Sequence, residues 1–166
     1  TKAEAEKIAL SHKNTICFRL ATVFGYSFRM RTDLLVNYMV YESVKKKRLE
    51  IFEAHFRRNF IHIRDVVAGM IFAIDNFFLL KNNIYNLGLS SANITKYQLA
   101  KMIKKNIRNL KVTIQENKKD PDQRDYFVSN AKIEKTGYKA KISLNRGIKE
   151  LIGVFKNSEI KFINNY

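Results

Sequence analysis

Short runs rich in Ile, Val, Phe and Tyr alternate along this chain with longer stretches whose apolar residues recur every three or four positions, and few folds accept that alternation. The sharpest instance is Arg57-Arg58-Asn59-Phe60-Ile61-His62-Ile63-Arg64-Asp65, a β-branched and aromatic run that passes directly into an amphipathic helix pattern. Asp65 is placed to cap the orphan N–H groups of that helix, and Arg57 and Arg58 stand at the other end, where their residue type suits an anion. Strands separated by helices pair in parallel, so the expected class is α/β.

In chain order, residues 1–10 form a strong Ala/Glu/Lys helix pattern with no Met, cap or lead-in before it, and read as a piece of something longer. Residues 15–24 read as one mostly buried strand ending at Gly25. After a basic loop, Asp33 is expected to cap a helix carrying Leu34, Leu35, Tyr38, Met39 and Val40, closed by the cations of residues 45–48. Residues 49–52 are a short strand. Residues 66–80 form one helix whose core face is Val67, Met70, Ile71, Ile74, Phe77 and Phe78. A strand over 84–88 precedes a helix over 96–109, capped by Thr95, with Tyr97, Leu99, Met102, Ile103 and Ile107 inward. Residues 112–115 alternate as a half-exposed strand, 117–122 are a polar loop and 124–128 a last strand. A short helix closes at Gly137, and a final one runs from Ser143 through Phe155, burying Leu144, Ile148, Leu151, Ile152 and Phe155. The tail from Asn157 is expected to fray.

At 166 residues, 46% hydrophobic and 12% aromatic, the chain has enough apolar material for a folded core. Cys17, its single cysteine, sits in an apolar run and reads as a small buried hydrophobe. His12, His55 and His62 have no ligand spacing among themselves or with Cys17, so no metal site is expected, and His62 reads as a structural histidine. The apolar runs are too short to span a bilayer and no signal-peptide pattern is present, which points to a cytoplasmic protein with no membrane partner. A net charge of +16 asks for an anionic partner. The bases are spread over every helix and no nucleic-acid motif appears, so nucleic acid is disfavoured. There is no P-loop and no G-x-G-x-x-G.

Six motifs recur in a familiar order: Lys2 with Glu4-Ala5-Glu6; Arg19-Leu20-Ala21-Thr22-Val23-Phe24-Gly25; Arg29-Met30-Arg31 with Asp33-Leu34-Leu35-Val36-Asn37; Arg58 to Asp65; Tyr85-Asn86-Leu87-Gly88; and Asp122-Gln123-Arg124-Asp125-Tyr126 followed by Gly137-Tyr138. Together they resemble the C-terminal portion of an extended short-chain dehydrogenase/reductase of the NAD-dependent nucleotide-sugar epimerase/dehydratase family. The resemblance implies the end of a Rossmann-type parallel sheet plus a smaller α/β substrate-binding domain. Residues 1–30 would end the NAD-binding domain, and 31–166 would form mainly the substrate domain, with 57–80 returning to the Rossmann part.

The same resemblance implies roles. Lys2 matches the lysine of a Tyr-x-x-x-Lys pair, where it binds the nicotinamide ribose and lowers the pKa of the tyrosine base. Leu20 and Val23 would border the cofactor, NAD with NADP as the alternative. Thr22 occupies a substrate-contacting position that is often Asn. Arg31, Asp33 and Leu34 would lie along the nucleotide and diphosphate. Arg58 and Arg124 would hold the nucleotide-sugar, because a guanidinium fork satisfies two phosphate oxygens in one plane. Arg57 and Arg64 read as surface ion pairs. The intact enzyme would oxidise the sugar at C4 by hydride transfer to NAD, then epimerise or dehydrate it, and would pair as a homodimer. This chain, lacking the N-terminal Rossmann half, would be inactive. Two alternatives stay open: another extended reductase or decarboxylase, and a non-catalytic basic module for anions or nucleic acid.

Overall fold

In a computed structural model of the chain, which describes residues 1–115 and 124–157, the alternation resolves into α1 (Lys2–Ser11), β1 (Ile16–Leu20), β2 (Thr22–Phe24), α2 (Leu35–Lys46), β3 (Arg48–Phe52), β4 (Arg57–His62), α3 (Ile63–Asp75), α4 (Phe77–Leu80), β5 (Asn83–Leu87), a 3₁₀ turn (Ser90–Ala92), β6 (Asn93–Thr95), α5 (Lys96–Asn106), β7 (Lys111–Gln115), α6 (Ala131–Glu134) and α7 (Leu144–Asn157). Three of the four pairings among the described residues are parallel. β1 runs beside β5 with Leu20 opposite Leu87, β2 beside β4 with Thr22 opposite Phe60, and β3 beside β7 with Arg48 opposite Lys111. Only β6, which follows β5 through the 3₁₀ turn, is antiparallel to its neighbour β4.

The run 15–24 is two strands, not one. The Ala21 N–H donates to the Leu87 carbonyl at 2.9 Å, which ends the β1–β5 ladder. The chain then steps sideways, and Thr22 to Phe24 join β4. β1 is correspondingly half-buried to exposed, because among the described residues it has a partner strand on one side only. The 66–80 helix likewise divides, at Asn76, and its inward face is Val66, Gly69 and Ala73. Met70, Val67, Ile71, Ile74 and Phe78, expected in the core, are 44–83% exposed. The segment is apolar almost all round, so period alone did not choose a face. The small side wins because it permits close approach: a Cβ on Gly69 would lie 3.0 Å from Leu87.

Capping also differs from expectation. His62, not Asp65, caps α3, its Nδ1 accepting the Arg64 N–H at 3.2 Å. Asp65 is buried and accepts the amides of Lys141 (3.1 Å) and Ile142 (2.9 Å), while its carbonyl accepts the Tyr138 hydroxyl. It therefore ties the approach of α7 to the start of α3, and the buried Tyr138 phenol is pushed up to about 12 by loss of solvent and by the Asp65 charge. Asp33 does not cap α2; the cap residue is Leu34, without a side-chain bond, because Arg31 has taken the Asp33 carboxylate. Residues 124–128 form no strand. Side chains replace the ladder: Asp125 accepts the Arg57 N–H at 2.8 Å, and Asn93 brackets Val128 with two bonds of 2.9 Å. The helix expected over 96–109 stops at Asn106, though Thr95 caps it through a box with Gln98 as anticipated. Thr1, for which no cap role was foreseen, caps α1 with Glu4 in the same way. α7 buries the five residues named from its periodicity. The 117–122 loop and the tail beyond 157 lie outside the described residues.

Two apolar clusters result. Val36, Met39 and Val40 of α2, Leu99 and Ile103 of α5, and Ile148, Leu151 and Phe155 of α7 close over β3 in one. Val66, Ala73, Tyr85, Leu87, Ile133 and Tyr138 form the other. β4 divides them, Phe60 facing the first and Ile61 the second, as alternation along a strand requires.

Candidate functional site

The carboxyl end of the β1–β5 ladder adjoins the start of the β2–β4 ladder where the chain steps across at Ala21, and ligands of open α/β sheets bind outside the carboxyl ends of such strands. Gly88, directly after β5, packs beneath this step. A Cβ there would lie 1.9 Å from Asn59 Oδ1, 2.9 Å from Asn130 Oδ1 and 3.1 Å from the Ala21 Cβ. Only glycine lets these two buried amides approach the backbone so closely beside Ala21.

Thr22 then faces a side chain from far along the sequence. Its Oγ1 is 3.5 Å from the Tyr126 hydroxyl. The Tyr126 ring in turn carries the Arg58 guanidinium, whose Cζ is 5.3 Å from the ring centroid. Arg58 is 2% exposed, and its Nη1 donates to the Arg57 carbonyl at 3.1 Å. Tyr126 is held in place by Arg57, which binds Asp125 through backbone and side chain and accepts the Tyr126 N–H at 3.4 Å. Arg57 keeps the Asp125 carboxyl below its ordinary range. Arg57 and Arg64 are thus in ion pairs, Arg64 with Glu150. Exposed Arg124 lies two residues before Tyr126.

Arg58, Tyr126 and Thr22 therefore form one cluster from three separate segments. Tyr126 was missed as a site residue, and the only sequence signal was its place at the end of the late arginine motif.

The loop from Gly25 to Asp33 borders β2. Gly25 has φ +124, and a Cβ there would lie 2.7 Å from His62 Nε2, so glycine is required. Asn37, 2% exposed, holds both ends of the loop: its Oδ1 accepts the Gly25 N–H at 3.1 Å and its Nδ2 donates to the Arg31 carbonyl at 2.8 Å. Arg31 is thereby anchored by its backbone, and its side chain bonds Asp33, lowering the Asp33 pKa. Leu34 is half-buried at the start of α2.

Lys2 opens α1, which is tied to β1. Arg19 grips Glu6 with two bonds of 2.8 and 2.7 Å, so α1 runs back along β1. Lys2 is about one turn further on, level with the end of β1. It is exposed and no hydrogen bond joins it to the Arg58 cluster. Leu20 is 44% exposed at the same end, and Val23 is half-buried in β2. Among the described residues no group of three or more His, Cys, Asp or Glu could hold a metal ion, and no helix is long and apolar enough to cross a membrane.

Solved structures with the same fold include a dTDP-glucose 4,6-dehydratase from Bacillus anthracis in complex with NAD (18% identity, TM-score 0.78, 97% of this chain and 52% of that one). A UDP-glucose 4-epimerase from Thermotoga maritima with UDP-glucose is similar (21%, 0.74, 93% and 50%), as is an ADP-L-glycero-D-manno-heptose-6-epimerase from Helicobacter pylori (22%, 0.74, 95% and 50%). The chain spans about half the length of each. The model of the NAD dependent epimerase/dehydratase family matches residues 1–88, just over half of the sequence. The parallel α/β fold and this match agree with the motif order, and the chain belongs to the NAD dependent epimerase/dehydratase family.

Proposed function

We propose that this chain is the C-terminal half of an NAD-dependent nucleotide-sugar epimerase or dehydratase, and that Arg58, Tyr126 and Thr22 form the floor of its nucleotide-sugar site. The carrying observation is the buried Arg58 guanidinium stacked on Tyr126 at the start of β4, with the Tyr126 hydroxyl beside Thr22, two residues after the end of β1. A guanidinium held by an aromatic face and a backbone carbonyl has little rotamer freedom left, so binding a diphosphate costs less ordering entropy than it would for a free surface arginine. Arg124 and Arg31, on segments anchored by Asp125 and Asn37, supply further positive charge to the same anion. The Thr22 and Tyr126 hydroxyls offer hydrogen bonds to the sugar, and Asp33 and Leu34 border the nucleotide.

The residues at the end of β1 suit the nicotinamide end of NAD or NADP. Exposed Leu20 gives an apolar wall, Val23 continues it, and Lys2 gives a donor for the ribose. When bound, the cofactor supplies the reversible acceptance of hydride from the sugar. Lys2 positions the ribose and favours the ionised form of a tyrosine base in the intact enzyme. Residues 1–30 and 57–80 belong to the cofactor domain in this reading, and the remainder mainly to the substrate domain. The intact protein acts in the cytoplasm as a homodimer, and the chain by itself is inactive.

The test is calorimetric titration of the chain with a panel of UDP-, dTDP- and ADP-sugars. Arg58→Lys keeps charge but loses the planar fork, and should weaken the best ligand by about tenfold, with Arg58→Ala weaker still. Equal affinity in wild type and both variants would remove Arg58 from the site.

A further inference from the structure

The lysines and arginines that look dispersed in sequence are gathered by the fold on one edge, away from the Arg58 cluster. α2 and α5 both end at the amino-terminal edge of the β3–β7 pair, and their turns lie side by side: the Lys111 N–H donates to the Lys47 carbonyl at 3.1 Å. This brings together Lys45, Lys46, Lys47 and Arg48 from one turn and Lys104, Lys105, Arg108 and Lys111 from the other, all exposed. Only two find carboxylates among the described residues, Lys46 with Glu42 and Arg48 with Glu50, each at 2.7 Å. At the second of these turns a recess of about 570 Å³ is lined by Lys104, Arg108 and Lys111 with Asn109, over a floor of Ile107 and Leu110.

Helix-end dipoles account for Lys45, Lys46, Lys104 and Lys105, which sit in the last turns. They do not account for Lys47, Arg48, Arg108 and Lys111, which lie beyond the helices. Arg48 stands directly opposite Lys111 across the ladder, a like-charge pairing that disfavours the sheet. Among the described residues six of the eight have no carboxylate partner, and three of those six line the recess.

We propose that this edge binds the phosphate backbone of duplex nucleic acid without reading its sequence. The recess floor is sunk, Ile107 and Leu110 being 3% exposed each, so no apolar side chain projects to enter a lipid layer. No aromatic ring lines it to stack an unpaired base. What remains is charge in a groove, the form of contact made to phosphates and not to base edges. The proposal is independent of the nucleotide-sugar reading, and Arg58→Ala should leave it untouched.

The chain is titrated by fluorescence anisotropy against a duplex of about 20 base pairs over about 50 to 200 mM salt, where neutralising six phosphates gives a log–log slope of about −5. Replacing Lys104, Arg108 and Lys111 by Gln should reduce the slope by about three. A second triple, Lys45, Lys47 and Lys105 to Gln, should do the same, which guards against a folding artefact in the first. Lys7, Lys13 and Lys149 to Gln removes equal charge elsewhere and should change the slope by less than about one. An equal loss in that control would mean diffuse attraction to the net charge and overturn the site. So would no duplex binding at the lowest salt, or capture by phosphatidylserine vesicles without duplex binding.

Discussion

Gly147 and Gly153 occupy the same helix, α7, and the same substitution should move stability differently at the two. In an exposed helix interior, Gly→Ala stabilises by about 1 kcal/mol through the lost freedom of the unfolded chain. Gly153 has nothing within 4 Å of its future Cβ, so Gly153→Ala should show that full gain. At Gly147 the Cβ would lie 2.3 Å from Phe24 Cε2, 2.9 Å from Phe24 Cζ and 3.0 Å from His62 Cδ2. Phe24 is 1% exposed and meets the His62 ring edge-on at 5.3 Å between centroids, so neither ring can withdraw cheaply. Overpacking of this kind costs about 1–3 kcal/mol, sometimes more, and offsets or outweighs the propensity gain. Since that gain is common to both variants, the difference between them isolates the clash. Urea denaturation reads it: with a slope of about 2 kcal/mol/M, the two midpoints should separate by about 0.5–1.5 M, Gly153→Ala above wild type and Gly147→Ala level with it to about 1 M below. If Gly147→Ala were as stable as Gly153→Ala, the contact of α7 with β2 and β4 would not be as described.

Two other outcomes follow from buried and exposed groups. Burial, the largest influence, holds the His62 pKa below its ordinary 6.5, against the opposing pull of Glu150. The folded state then binds fewer protons than the unfolded chain, so this contribution is complete above pH 6.5 and is lost as pH falls below it. His62→Gln should therefore lose less melting temperature than wild type between about pH 7.5 and pH 5.5, and an identical loss would exclude His62 as the source. Ile74 and Phe78, 73% and 83% exposed beside Ile71 and Leu79, form an apolar face on α3 and α4. The chain should self-associate through it, and Ile74→Lys with Phe78→Lys should raise the apparent dissociation constant about tenfold or more in light scattering. A monomer at every concentration would refute this.

The elements were legible where one signal dominated. α7 has a clean stripe of Leu and Ile, and Thr95 with Gln98 writes its cap into four residues, so both were read correctly. The reading failed where two partners competed for one group. Asp33 is bonded by Arg31, two residues before it, and Asp65 has the amides of Lys141 and Ile142, more than seventy residues away. On α3 the pattern was apolar on every side, and Gly69, invisible to a hydrophobicity count, chose the face. The site followed the same rule. Arg58 was named from its motif, but Tyr126 acquires a role only because Arg57 and Asp125 bring a segment sixty-eight residues away onto β4.

The sequence by itself determined the alternation of strand and helix, hence parallel pairing, and the motif order that marks the family. These rest on local periodicity and on residue types whose chemistry does not depend on distant neighbours. Tertiary structure alone decided that the 15–24 run serves two sheets, that Arg58 lies stacked on Tyr126 beside Thr22, and that eight dispersed cations share one edge. Each of those depends on strand register and on which helix ends meet, and neither is a property of any short stretch of chain.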